Sequence, residues 1–243
     1  MTEEKRQRVA LVTGANTGAG RAVVRALRAE AVRVLEHEPE PGGIGLHADL
    51  SDEQDVARMM ASIRERHGRL DVLVACHARP EPVGVLDACS NRFWRQVDGN
   101  LTSSFLAVQG ASDLLAASGQ GRIVLLSSGW STGAKGLAGL ATASAGIDLL
   151  VRSLARELGP KGIAVNAIAP AFLDDEEWLI CDAVALGLSS DELRARAGAI
   201  VPAGKLGSCD ALAQLVVLLC QPALGAAIGQ TIHCNGGYFR HRI

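Results

Sequence analysis

Residues 8–20 read RVALVTGANTGAG, an apolar run ending at Thr13 and Gly14, with Gly18 and Gly20 spaced behind it and the helix-forming stretch RAVVRALRAEA directly after. A strand that passes through a glycine-rich turn into a helix opens a parallel α/β sheet. Its glycines let backbone approach a ligand phosphate, and the helix start supplies amides and the positive end of the dipole. The same glycines also serve packing, because Gly20 is needed where helix meets strand whether or not a ligand binds. The turn therefore dictates a local geometry and leaves phosphate binding as one of two readings.

Six further apolar runs follow: VRVLEH, IGLHA, DVLVAC, RIVLLSS, IAVNAIA and AIGQTIHC. Helical patterns lie between them near residues 18–31, 52–67, 90–117, 136–159 and 209–220. This alternation predicts a single-domain, Rossmann-like α/β fold over residues 1–243, with a doubly wound parallel seven-stranded sheet. At 243 residues and 48% hydrophobic content the chain can bury one substantial core, and no linker or repeat divides it. The connection EPEPGG between the second and third runs is too short and too rich in proline for the usual helix, so that edge of the sheet is expected to be trimmed.

Charge and cysteine usage narrow the partners. A net charge of -2 and a pI near 6.3 give no basic excess, which argues against nucleic acid. The start, MTEEKRQR, is charged, so the chain is read as soluble and cytoplasmic, without signal peptide or membrane span. The six cysteines are scattered, with no CxxC pair and no histidine at ligand spacing, so they are expected to be reduced, with no metal.

The spacing TGxxxGxG resembles that of the short-chain dehydrogenase/reductase family, and four further matches occur in order: Asp49-Leu50, Asn100 within GNLTSSFLAV, GRIVLLSS ending at Ser128, and the pair GPKGIAVNAIAP and GQTIHCNGG. The resemblance covers nearly the whole chain and implies a small-molecule substrate, a nicotinamide dinucleotide and a substrate-covering segment at about 171–200. It assigns cofactor contacts to Gly14, Asn16, Thr17, Gly18, Ala19, Gly20, Glu38, Asp49, Leu50, Ala75, Cys76 and Pro170. It also makes Ser128 the active-site serine and Asn100 a helix-kink asparagine. Assembly is implied through the helices at 90–117 and 136–159, as a homo-oligomer (dimer or tetramer) or as a hetero-oligomer with an active relative.

The sequence departs from that family at the reactive end. A Tyr and a Lys four residues apart are expected on the long helix, where LATAS places Leu140 and Ser144, and the only tyrosine is Tyr238. The family's NNAG reads Ala75-Cys76-His77-Ala78, its PG reads Pro170-Ala171, and its carboxamide-holding Thr is Asp175.

Side chains near these motifs carry paired readings. Glu38, at the end of the second strand, repels a 2′-phosphate and favours NAD(H) over NADP(H), or belongs to the solvated loop EHEPEP with no dinucleotide bound. Ser128 stabilises an oxyanion or caps the turn GWSTG. His77 is an acid-base candidate or a structural histidine. The acids 174–177 suit a helix start, and Tyr238 with its basic tail either packs at an interface or reaches a neighbouring active site. From the missing Tyr and Lys, the expected function is a repurposed enzyme on a small apolar metabolite, performing enoyl-type reduction or a non-redox isomerisation, cyclisation or elimination. The alternative expectation is a non-catalytic subunit of an active relative.

Overall fold

A computed structural model describes residues 7–39, 45–86 and 90–238. Seven strands, β1 (Val9–Thr13), β2 (Arg33–Glu38), β3 (Leu46–His47), β4 (Val72–Ala75), β5 (Arg122–Leu126), β6 (Ala164–Pro170) and β7 (Thr231–Cys234), form one sheet in the order β3-β2-β1-β4-β5-β6-β7. Every adjacent pair is parallel. Every residue of β1, β4, β5 and β6 is buried, which explains why these strands read as continuous apolar runs rather than alternating ones.

Helices cover both faces. On one side α1 (Gly18–Ala29) and α8 (Cys209–Leu219) pack Ala22, Val23, Leu27, Leu212 and Val216 against β1 and β4. On the other, α2 (Glu53–His67), α4 (Ser103–Ala116) and α5 (Ala138–Leu158) bury Met59, Ile63, Leu114, Leu115, Ile147 and Val151. Each such large side chain removed from water contributes about 1.5–3 kcal/mol. The span 138–161, with a mean hydropathy of 1.2 over 18 residues, is long and apolar enough to cross a membrane, yet α5 packs its apolar face on the sheet as a core helix.

The patterns 18–31, 52–67, 136–159 and 209–220 each become one helix, whereas 90–117 becomes three pieces. These are α3 (Ser90–Val97), a wide π-helical turn over Asp98–Thr102, and α4. Asn100 explains the break. Its Nδ2 donates to Gln96 O at 2.7 Å and its Oδ1 accepts from Arg79 N at 3.0 Å, so the side chain intrudes on the helix ladder while anchoring the loop after β4. The trimmed edge is present as expected: β3 has two residues and pairs directly with β2, His37 against Leu46. Of its connection, residues 40–44 lie outside the described residues, as do Cys89 and the tail 239–243.

Residues 171–200 fold over the carboxyl ends of β5 and β6 as α6 (Glu176–Leu186) and α7 (Ser190–Ile200). Ser189 and Glu192 close a reciprocal capping box at the start of α7. A third apolar cluster joins this cover to Trp130, Leu137 and Leu140.

Candidate cofactor and active site

The site is built on the β1–α1 turn, beside the point where strand order reverses between β1 and β4. Gly14 adopts φ +66, and a Cβ there would come closer than 3.0 Å to backbone atoms of Cys76 and His77. A Cβ on Gly20 would meet Gly14 O. Both glycines thus serve the close packing of the turn. Thr17 caps α1, its Oγ1 accepting from Gly20 N and lying 2.9 Å from Gly14 O.

A cavity of about 320 Å³ opens beside this turn. Gly14, Asn16, Thr17, Asp49 and Leu50 line it, which brings together five of the twelve residues assigned to the cofactor. Ser51 holds the Asp49 carboxylate below its ordinary pKa, its hydroxyl and amide donating at 2.6 and 2.9 Å. From β2 it is His37 that lines the cavity, while Glu38 faces a separate hollow with Arg28 and Arg66. Burial lowers the pKa of His37. Its Nε2 lies 2.9 Å from Ala48 O, which only accepts, so that nitrogen carries the proton. Nδ1 is left as a buried acceptor without a partner among the described residues. Concave shape, a held carboxylate and an orphaned acceptor fit the adenosine end of a dinucleotide.

Gly18, Ala19, Gly20, Ala75, Cys76 and Pro170 lie off this cavity's walls. A Cβ on Gly18 would collide with the Asp175 carboxylate, whose Oδ2 accepts from Cys209 Sγ at 3.6 Å. His77 Nδ1 lies 2.6 Å from Thr13 Oγ1, and Nε2 lies 3.4 Å from Ser104 Oγ. Burial, with His37 and Arg79 adding to it, holds the imidazole well below its usual range. Burial thus favours the neutral imidazole, and the ring borders the cavity beside the glycine turn.

At the reactive end, Ser128 is fully buried and its Oγ accepts from Trp130 N at 3.2 Å, capping the short turn Gly129–Thr132. Leu140 and Ser144 are each 2% exposed on α5. Leu140 belongs to the apolar cluster with Trp130 and Phe172. Tyr238 packs within its own chain, its ring centroid 4.5 Å from that of Phe172 and 6.2 Å from that of Trp130. Its tail neighbours Phe239 to Arg242 lie outside the described residues.

One group was missed in the sequence. Asp182, inside α6, is buried, with Oδ1 accepting from Trp130 Nε1 and Oδ2 from Phe172 N, both at 2.6 Å. It ties the cover to the loops after β5 and β6 and steadies Phe172, whose φ of +56 is strained for an L-residue. A lone acid in the apolar stretch LICDAVAL was the available signal. Burial raises its pKa to about 7 against the two opposing hydrogen bonds. A folded-state pKa above the unfolded one means its contribution is full below about 4 and lost as pH rises through about 7. Melting temperature should therefore fall between about pH 4 and 7 in the wild type and flatten in Asp182→Asn. Parallel pH profiles for the two proteins would remove Asp182 as the source.

The fold and this turn define a single-domain α/β protein of the Rossmann type. A family model described as enoyl-(acyl carrier protein) reductase matches residues 13–239, and the chain belongs to the short-chain dehydrogenase/reductase family. It is 30% identical to the 3-oxoacyl-[acyl-carrier-protein] reductase FabG of Escherichia coli, over 96% of this chain and 97% of that one. It is 32% identical to the short-chain reductase protein NovJ of Streptomyces niveus, over 94% and 93%. The crystal structure of gox2181 superposes with a TM-score of 0.85 at 26% identity, covering 96% of this chain and 95% of its own. These relatives correct the expected function. End-to-end likeness to 3-oxoacyl reductases overturns both the departure to enoyl-type or non-redox chemistry and the non-catalytic subunit, because each rested on two positions of one helix.

Proposed function

We propose that this chain is a cytoplasmic, nicotinamide-dependent reductase acting on the keto group of acyl thioesters. The observation that carries the reading is its full-length likeness to 3-oxoacyl-[acyl-carrier-protein] reductases, supported by the cavity beside the glycine turn. Gly14, Asn16, Thr17, Asp49 and Leu50 would hold the adenosine end. The bound cofactor supplies hydride. NAD(H) is preferred over NADP(H), because Thr17 is uncharged and the Asp49 carboxylate lines the cavity where a 2′-phosphate would have to sit.

Ser128 stands where the family places its active-site serine, but here it is fully buried with its Oγ accepting from Trp130 N, so it serves the turn. Leu140 and Ser144 occupy the places of the family's Tyr and Lys, so α5 delivers no proton and turnover is slow. A positioned acid is worth about 10²–10⁴ in rate. The exposed side chains Trp94, Phe105 and Leu149 on α3, α4 and α5 supply the surface for a second copy or another family member. Calorimetric titration with NADH and NADPH, followed by turnover of an acetoacetyl thioester, tests the reading. NADH should bind more tightly and support slow reduction; binding of neither nucleotide would sink it.

A further inference from the structure

We infer that Asp175 is a specificity-determining residue that closes the phosphate side of the cofactor groove, so that the site accepts adenosine readily and a dinucleotide only by displacing this carboxylate. The inference rests on the reading that the 320 Å³ cavity seats the adenosine end. That cavity reaches Thr17 and His77 and includes neither Gly18 nor Gly20 in its walls. Directly over Gly18 lies the Asp175 side chain, its Cγ 3.1 Å from where a Cβ would stand and Cys209 Sγ 3.6 Å from the same point. The start of α1 favours an anion, and the Asp175 carboxylate stands over Gly18 beside it, held by Cys209 Sγ.

Asp175 is placed there by its neighbours. Arg194 draws Asp174 and Glu176 outward at 3.2 and 2.7 Å, and Asp174 N donates to Gly207 O at 2.8 Å. The residue between them points inward. Its carboxylate makes no capping bond to α6, so the helix start does not depend on it. Burial, with the Asp175 charge adding to it, raises the Cys209 thiol to about 12, which keeps the sulfur protonated as the donor to Oδ2. A pyrophosphate entering this turn meets a half-buried carboxylate of like charge as well as its bulk.

Calorimetry on the full-length protein, with adenosine, ADP-ribose and NADH as probes, tests this. Asp175→Asn, which removes charge at constant size, and Asp175→Ala, which removes both, should tighten ADP-ribose and NADH by about tenfold or more, the scale of one relieved like-charge contact in a half-buried site. Adenosine affinity should stay within about twofold, since it carries no phosphate to repel. Tightening confined to the phosphate-bearing probes supports the inference. Unchanged NADH and ADP-ribose affinities in both variants, with adenosine still bound, would overturn it. Failure of adenosine to bind any of the three proteins would overturn the underlying cofactor reading instead.

Discussion

Introducing Leu140→Tyr together with Ser144→Lys should raise the rate of NADH-dependent acyl-thioester reduction by about 10²–10⁴, the usual worth of a positioned general acid. The two positions lie four residues apart on α5 and therefore on one helix face, so a phenol and an ammonium placed there come within reach of one another. Lysine beside the phenol lowers its pKa and brings proton donation nearer to neutral pH. Leu140 packs among Trp130, Phe172 and Leu179 and Ser144 is 2% exposed, so the larger ring costs about 1–3 kcal/mol of overpacking and the buried ammonium several kcal/mol more unless it pairs with the phenol. Thermal melting distinguishes an unfolded variant from an inactive one. Leu140→Tyr alone should give a smaller gain. A folded double variant with no increase in turnover would show that the proton already reaches the product oxygen by an efficient route.

Gly14→Ala should destabilise the protein by more than about 3 kcal/mol, a large part of a typical domain's 5–15 kcal/mol. Two costs coincide there. An L-residue at φ +66 pays about 1–2 kcal/mol for the left-handed region. The new methyl also meets backbone atoms of Cys76 and His77, which belong to the exit of a central strand and have little room to yield. Gly68→Ala separates the two costs. Gly68 has φ +73 and nothing within 4 Å of an added Cβ, so it should lose only the conformational part. Urea midpoints at constant m-value measure both. Equal losses at the two positions would mean that contact with β4 contributes nothing.

The overturned expectation of function shows where local reading fails. Leu140 and Ser144 are two positions, and chemistry inferred from them was extended to the whole protein. Likeness to 3-oxoacyl reductases over 96% of the chain draws on all of it and points back to carbonyl reduction. The residues assigned to a cofactor divide in the same way. Gly14, Asn16, Thr17, Asp49 and Leu50 lie close to a turn or strand end that the motif itself identifies, and they do line one cavity. Glu38 was selected as the acid at the end of the second strand, but successive strand residues point to opposite faces, and His37 has the parity that reaches the cavity.

What could be read directly from the chain is the part governed by short-range rules. Continuous apolar runs gave the buried central strands, helical periodicity gave the helices on both faces, and TGxxxGxG gave the turn, because strand burial, helix pattern and glycine conformation each depend on a few neighbouring residues. Long-range packing supplied the rest. The break at Asn100 depends on Arg79, 21 residues away; the anchor at Asp182 depends on Trp130, 52 residues away; and the carboxylate over the glycine turn joins Asp175 to Gly18, 157 residues earlier. No periodicity encodes such meetings. They arise when strand order folds distant loops onto one edge of the sheet, where charge, burial and free space are settled together.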